Sequence, residues 1–220
     1  MLLQIADVLS PENAANVCDA LAREGDYFTS GKATAGWHAK AVKDNEQSTG
    51  PAALSAIDMV KSTLLAHPVF ESAARPKAFV KILVSRYTPG MHYGRHVDNA
   101  LMGGARTDLS FTLFLSDPAS YDGGELRLEG HDGDTDVKLP AGGLVLYPTT
   151  QLHQVMAVTR GERLAIVGWV RSFIRSTEQR EMLFELDQIV AQLRPRETDR
   201  GILDQVFKVR NTLTRMWVED

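Results

Sequence analysis

The feature that most constrains the fold of this chain is a series of short apolar segments between residues 77 and 174, each bounded by turn residues. Within segment 109–115, apolar side chains occupy every second position, and clusters such as Asp122-Gly123-Gly124 separate one segment from the next. Alternation with a period of two, interrupted by Gly, Asp and Pro, is typical of antiparallel strands in a sandwich or barrel. About eight such segments predict a mainly β core of the jelly-roll type, a double-stranded β-helix.

The regions on either side of this core have the period of a helix. Residues 1–76 predict an N-terminal helical and loop region that packs on the core, with Ser10-Pro11 opening a helix over 11–24. Residues 177–220 predict a C-terminal extension of two amphipathic helices. Such helices cannot bury their apolar faces alone. We therefore expect them to pack on the core, on the N-terminal helices or on a second copy of the chain in a homo-oligomer.

The composition excludes several classes of protein. The 220 residues are 44% hydrophobic and 24% charged, which is ordinary for a globular protein, and the formal net charge is −4. Without a basic stripe we expect no nucleic-acid partner. Cys18 is the only cysteine, so the chain has neither an internal disulfide nor a multi-cysteine zinc site. We find no signal peptide and no apolar run near the ~20 residues of a membrane span, so we expect a cytoplasmic protein.

A metal site is indicated by His96-Val97-Asp98 together with the distant His153. On a strand, residues two apart point to the same face, about 7 Å from each other at the backbone, so His96 and Asp98 can reach one ion. Taken alone, this pair is more typical of a protein surface that binds no metal. The addition of His153, at the start of an apolar strand, gives the two imidazoles and one carboxylate of the facial triad in non-haem Fe(II) oxygenases.

Arg163 begins the last apolar strand of the core and adds a cation to this set. If the loop between the strand of His153 and the strand of Arg163 has an odd number of residues, with Gly161 at a positive φ, then Arg163 faces the same side as His153. A buried guanidinium near a metal is a suitable partner for the carboxylate of a co-substrate. The apolar wall of the site is predicted to consist of Val155, Ala157, Val167 and Trp169.

The residues before the triad add a specific spacing, Tyr87-x2-Gly90-x2-Tyr93-x2-His96-x-Asp98. Here the chain resembles the prolyl 4-hydroxylase-like branch of the Fe(II)/2-oxoglutarate-dependent dioxygenases. The segments Asp108–Ser116 and Tyr121–Leu126, and the run from His153 through Gly161-Glu162-Arg163 to Trp169, are similar to the bacterial PKHD-type hydroxylases. The resemblance covers essentially the whole chain.

This resemblance implies a set of cofactors and residue roles. His96, Asp98 and His153 would be the ligands of Fe(II), and Arg163 would bind the distal carboxylate of 2-oxoglutarate. Tyr87 either hydrogen-bonds this co-substrate or only packs. Such an enzyme would hydroxylate its substrate with O2, release succinate and CO2, and use L-ascorbate to keep the iron reduced. Tyr93, three residues before His96, is predicted to face the opposite side of the strand and to be structural.

The substrate stays open at this point. The family name implies peptidyl proline or lysine, whereas a link with iron uptake would favour a siderophore-related small molecule. The loop with Trp37, Lys40, Lys43 and Asn45 is either a lid over the substrate or a solvated loop with one packed tryptophan. Two alternatives remain for the function, a cupin-type jelly-roll metalloenzyme that does not use 2-oxoglutarate and a non-catalytic iron or ligand sensor. Arg163 favours the dioxygenase, because neither alternative needs a carboxylate partner there.

Overall fold

The computed structural model describes residues 1–195 and 199–219. Residues 196–198 and 220 of the predicted C-terminal extension lie outside the described residues. The described part contains five α-helices, which are α1 (Pro11–Arg23), α2 (Pro51–Ala66), α3 (Pro68–Ala74), α4 (Thr177–Leu193) and α5 (Arg200–Trp217). Short 3-10 turns lie at Gly25–Tyr27, Gly31–Thr34 and Lys40–Val42.

The strands of the described part follow the predicted apolar segments, with additional short ones between them. In chain order they are β1 (Leu3–Ile5), β2 (Phe28–Ser30), β3 (Lys43–Asp44), β4 (Glu46–Ser48), β5 (Pro76–Tyr87), β6 (His92–His96), β7 (Leu101–Met102), β8 (Ala105–Arg106), β9 (Leu109–Phe114), β10 (Asp122–Gly123), β11 (Leu126–Leu128), β12 (Thr135–Val137), β13 (Leu144–Pro148), β14 (His153–Val155), β15 (Val158–Arg160) and β16 (Arg163–Ser172).

Two antiparallel sheets form the core. The major sheet has the order β1-β13-β9-β16-β5-β4-β2, and the minor sheet has the order β12-β11-β14-β6-β3. The pairs β10-β15 and β7-β8 form two small ribbons beside them. The strand order is that of a jelly roll, and the predicted fold class is confirmed.

The N-terminal region contributes strands as well as helices. β1 pairs with β13 at one edge of the major sheet, and β4 pairs with β5 near the other edge. β3 pairs with β6 and so extends the minor sheet. Only the helices of this region were predicted, because strands of two or three residues are too short to show a period. The pairing of β3 and β4 with different sheets brings residues 43–48 close to the space between the sheets.

Alternation along the strands separates two apolar clusters. On β16, Leu164 and Ile166 belong to the cluster that the major sheet forms with α1, α2 and α3. A second cluster, which includes Phe114 and Tyr147, lies between the two sheets. The predicted start of the first helix is confirmed, since the Ser10 side chain accepts a hydrogen bond from the backbone N–H of Asn13.

The C-terminal helices pack on the N-terminal ones. On α4, Asp187 accepts hydrogen bonds from Ser72 of α3 and from Arg75 just beyond it, and it pairs with Arg210 of α5. This contact is one of the packing arrangements expected from the sequence. A homo-oligomer through the same helices stays a prediction. Within the described residues, no helix is both long and apolar enough to cross a membrane.

Candidate active site

The five residues selected from the sequence line one cavity between the sheets. His96 at the end of β6 pairs directly with His153 at the start of β14, in the minor sheet. Arg163 at the start of β16 pairs with Tyr87 at the end of β5, in the major sheet. His153 and Arg163 therefore face each other across the sandwich and not along one ladder, which brings their side chains to the same open cleft of about 790 Å³.

His96, Asp98 and His153 converge on one point. The Nε2 atom of His96 is 3.8 Å from Asp98 Oδ1, and the Nε2 atom of His153 is 3.8 Å from Asp98 Oδ2. One ligand atom from each of the three residues can be chosen so that all lie within 4.8 Å of one another. Imidazole nitrogen and carboxylate oxygen bind a divalent metal at about 2.0–2.2 Å, so the 3.8 Å separations are within the span of one ion.

Backbone and side-chain contacts orient these three ligands. The Nδ1 atoms of His96 and His153 lie 2.8 Å and 2.9 Å from the carbonyl oxygens of Gly94 and Gln151. A ring that donates its Nδ1–H in this way presents an unprotonated Nε2 to the metal. The hydroxyl of Ser110 donates a 2.8 Å hydrogen bond to Asp98 Oδ2. The described residues thus supply the donor set and the outer contacts that a bound Fe(II) requires.

The electrostatics keep His96 in the form that binds a metal. Burial, reinforced by the neighbouring His153, lowers the pKa of His96 to about 4. Its imidazole is therefore neutral at physiological pH, and no proton has to leave before a metal binds.

Tyr93 contacts His96, contrary to the sequence prediction. Their rings stack with 3.6 Å between centroids and 17° between planes, and Tyr93 lines the cavity. The reason is a register shift between β6 and β14, in which His96 pairs with His153 but Tyr93 pairs with Val155. Two residues of β6, Gly94 and Arg95, thus face one residue of β14, Gln154, and the extra residue brings Tyr93 to the side of His96.

Arg163 is the most deeply buried cation of the cavity, with 1% of its surface exposed. None of its three guanidinium nitrogens has a hydrogen-bond partner of good geometry among the described residues. The guanidinium carbon lies 5.2 Å and 5.3 Å from the ring centroids of Tyr87 and Phe114, which are neutral neighbours. A buried cation without an anionic partner is costly, so the arrangement fits a site that receives an anion.

Because Gly124 has no side chain, it leaves room for the side chain of Arg163. A Cβ atom on this residue would lie 2.9 Å from Arg163 Cδ and 3.0 Å from Val158 Cγ2. The residue also has φ +68°, which side chains other than glycine rarely adopt. The Asp122-Gly123-Gly124 cluster, which the sequence marked only as a turn, therefore also shapes the anion site.

The Tyr87 hydroxyl lies in the same part of the cavity and faces the side chain of Asn45. Burial raises the pKa of Tyr87, although the charge of Arg163 acts in the opposite direction. Tyr87 is therefore protonated and able to donate a hydrogen bond to a ligand that Arg163 holds.

The apolar wall was predicted correctly at three of its four positions. Val155, Val167 and Trp169 line the cavity. Ala157 is exposed, because the predicted strand over 153–158 is broken into β14 and β15, and Ala157 lies between them.

The N-terminal loop also reaches the cavity. Lys43 and Asn45 line the cavity and are buried, with exposed fractions of 5% and 3%, respectively. Lys40 is exposed, and Trp37 is 89% exposed, so this tryptophan is not the packed residue of the solvated-loop interpretation. Lys81 and Ser110 are two further polar lining residues that sequence reasoning missed. The period of two along the strands could have indicated both. Lys81 is an even number of residues, six, before Tyr87 on the same strand, and Ser110 lies between Leu109 and Phe111, which belong to the cluster on the helix side of the sheet.

Comparison with known proteins agrees with this geometry. Residues 82–171 match the 2OG-Fe(II) oxygenase superfamily. The full chain is 51% identical to a PKHD-type hydroxylase of Maricaulis maris and 48% identical to one of Acaryochloris marina, with complete coverage of both proteins in each case. The chain belongs to the PKHD-type hydroxylase family. As a PKHD-type hydroxylase it is an oxygenase, and membership disfavours the cupin-type and sensor alternatives.

Solved structures show the same fold for this PKHD-type hydroxylase. A prolyl 4-hydroxylase from Pseudomonas putida is 25% identical, with a TM-score of 0.56 over 78% of this chain and 92% of that one. A Trichoplax adhaerens prolyl hydroxylase, solved in complex with a hypoxia-inducible-factor peptide, is 16% identical, with a TM-score of 0.62 over 83% and 86%.

Proposed function

We propose that this PKHD-type hydroxylase is an Fe(II)- and 2-oxoglutarate-dependent dioxygenase in which His96, Asp98 and His153 bind the iron. The proposal is supported by the convergence of the two Nε2 atoms and the carboxylate on one point. It is also supported by the hydrogen bonds that orient these groups, from each Nδ1 to a backbone carbonyl and from Ser110 to Asp98. Three ligands on one side of the ion leave the other side for co-substrate and O2.

Arg163 binds the distal carboxylate of 2-oxoglutarate, with Tyr87 as a second donor. The single observation that carries this assignment is the fully buried guanidinium without a carboxylate partner among the described residues, set in the same cavity as the triad. A carboxylate fits a guanidinium through two parallel hydrogen bonds, which also fixes the orientation of the bound molecule. Neutral Tyr87 and Phe114 on either side leave the cation free for this ligand.

When bound, Fe(II) and 2-oxoglutarate supply the activation of O2, so that one oxygen atom enters succinate as CO2 is released and the other hydroxylates a C–H bond. The chain's own residues position the reactants and exclude water from the apolar wall of Val155, Val167 and Trp169. L-Ascorbate, as a reductant in solution, keeps the iron ferrous between turnovers.

The primary substrate is either peptidyl proline or lysine, as the names of the relatives imply, or a small molecule connected with iron uptake. The loop residues of the segment Thr34–Gln47 that line the cavity cover the place where this substrate binds. This position supports the lid interpretation of the N-terminal loop.

The experiment is a measurement of succinate formed from 2-oxoglutarate and O2 by the purified chain, with and without Fe(II). We expect turnover that requires iron, and its loss in Asp98→Ala and His153→Ala. His131→Ala, which changes an exposed histidine that does not line the cavity, serves as the matched control and retains turnover. Iron-independent succinate, or normal turnover without Asp98, would contradict the proposal.

A further inference from the structure

Two lysines line the same cavity without a carboxylate partner. Lys43 on β3 is 5% exposed, and Lys81 on β5 is half-buried. Among residues 1–195 and 199–219, neither forms an ion pair. The Lys43 ammonium group donates a 3.0 Å hydrogen bond to Thr34 Oγ1 and lies 4.9 Å from the centre of the Tyr93 ring. Both contacts are to neutral groups, although the Asp98 carboxylate acts on the Lys43 charge without forming an ion pair with it.

Lys81 lies at the other end of the cavity from Arg163, and its charge acts on that of Lys43. Lys81 pairs with Trp169, whereas Arg163 pairs with Tyr87, and six residues of strand span roughly 20 Å. Trp169 also pairs with Ser110, the residue that donates to Asp98. Asp98 therefore approaches the row of the major sheet that contains Lys81 and Trp169. A five-carbon diacid held by the metal and Arg163 extends from there toward Arg163, so Lys81 is left for another ligand.

A third donor points to the same end. The indole Nε1 of Trp169 is buried and has no hydrogen-bond partner among the described residues, although Trp169 lines the cavity. A buried N–H without an acceptor costs free energy, which a bound acceptor would recover. Asp98 is the only carboxylate among the lining residues that the structure describes.

The charges of the loaded site leave the two lysines unbalanced. The formal charges of divalent iron, the Asp98 carboxylate, Arg163 and the two carboxylates of 2-oxoglutarate sum to zero. Lys43 and Lys81 then remain as two positive charges. Burial, with a smaller contribution from the charge of Lys81, lowers the pKa of Lys43 to about 8, although Asp98 acts in the opposite direction. A buried charge of this kind is stabilised when an anion arrives.

We propose that Lys43 and Lys81 bind a carboxylate of the primary substrate, with the Trp169 indole N–H as an additional donor. The inference rests on the proposed function, since it assigns the substrate class of the same cavity. The same two charges repel a free ammonium group, which disfavours an unmodified lysine side chain as the substrate and is compatible with a neutral proline next to an acidic group.

The test uses ligand-observed NMR with the full chain, saturated with Fe(II) and 2-oxoglutarate in the absence of O2. The probes are benzoate, neutral benzamide of the same shape, and benzylammonium. We expect the chain to bind benzoate at least tenfold more tightly than benzamide, since a charge-assisted contact of this type is worth about a factor of ten or more. Benzylammonium should bind more weakly than benzamide.

Variants connect this preference to the lysines. Lys43→Met with Lys81→Met should reduce benzoate affinity to that of benzamide, and Lys81→Met alone, at the half-buried position, should reduce it at least several-fold. Lys40→Met removes an exposed lysine of the same loop and should leave the preference intact. Equal binding of benzoate and benzamide by the unmodified chain, or a preference that survives the double substitution, would overturn the proposal.

A blocked tripeptide with one central aspartate, in the same titration, identifies the source of the carboxylate. Binding as tight as that of benzoate assigns it to an acidic peptide, and weaker binding assigns it to a small molecule. In both cases the lysine dependence has to hold. The proposed function has a separate readout. Absence of iron-dependent succinate from the unmodified chain would refute the dioxygenase activity. The lysine-dependent preference for benzoate is measured without turnover, so the two proposals can fail independently.

Discussion

The ring of Tyr93 lies on the imidazole of His96, with 3.6 Å between the ring centroids. The centre of the Tyr93 ring also lies 4.9 Å from the ammonium group of Lys43. The stack fixes the plane of an imidazole whose Nδ1 is already bonded to the Gly94 carbonyl. Tyr93 therefore helps to hold His96 in the orientation that a metal requires.

Removal of the Tyr93 ring should weaken metal binding. We expect Tyr93→Ala to lower the affinity for Fe(II) by about 10- to 100-fold, the usual effect of losing a group that orients a metal ligand. Tyr93→Phe keeps the stacking ring and should stay near the original affinity. Calorimetric titration of the metal-free chain with Fe(II) under anaerobic conditions measures both. Equal losses in the two variants would show that the hydroxyl, and not the stack, matters.

The hydrogen bond from Ser110 to Asp98 predicts a similar effect on the carboxylate ligand. Ser110→Ala leaves Asp98 Oδ2 without its 2.8 Å donor, so the carboxylate becomes freer to rotate away from the triad. We expect a loss of Fe(II) affinity of about tenfold or more. Ser85→Ala, at a buried serine that lines the same cavity, is the control. Unchanged affinity in Ser110→Ala would mean that Asp98 needs no such support.

The close approach of Gly124 to Arg163 predicts a variant that impairs co-substrate binding without touching the metal. In Gly124→Ala the new methyl group would lie 2.9 Å from Arg163 Cδ, so the arginine has to move. We expect KM for 2-oxoglutarate to rise about tenfold or more while Fe(II) affinity is retained. Gly103→Ala has a comparable backbone, with φ +57°, and no atom within 4 Å of the added carbon, so it separates backbone strain from the steric effect.

The low pKa of His96 predicts how the stability of the metal-free chain depends on pH. Because burial lowers this pKa from 6.5 to about 4, the unfolded chain binds a proton between these values and the folded chain does not. The free energy of unfolding should therefore decrease as pH falls from about 6.5 to about 4, by an amount on the order of 1–3 kcal/mol. Urea unfolding across this range measures it. In His96→Gln the decrease should be smaller, and in His92→Gln, at an exposed position, it should persist.

Much of the fold follows from periodicity. The segments that became β5 and β9 were recognised because apolar residues alternate along them, and those that became β13 and β16 because turn residues bound an apolar run. The proposed iron ligands and Arg163 were selected from the sequence because their residue types and order are specific. Both kinds of signal are local in sequence, which is why they could be seen without a structure.

The remaining features depend on contacts between distant segments. Lys43 reaches the cavity only because β3, two residues long, pairs with β6, and no local pattern indicates that pairing. The position of Tyr93 depends on a register shift between two strands, and the exposure of Ala157 depends on the interruption between β14 and β15. A strict period of two gives the wrong face at each such irregularity.

The most direct test of the account is an anaerobic titration of the Fe(II)-loaded chain with 2-oxoglutarate and with 2-oxopentanoate, which has the same carbon chain but lacks the distal carboxylate. The account predicts that the unmodified chain prefers 2-oxoglutarate by at least about tenfold, and that Arg163→Ala loses this preference while it retains its affinity for Fe(II). Equal affinity for the two compounds in the unmodified chain, or a preference that persists without Arg163, would contradict the assignment of this site to 2-oxoglutarate.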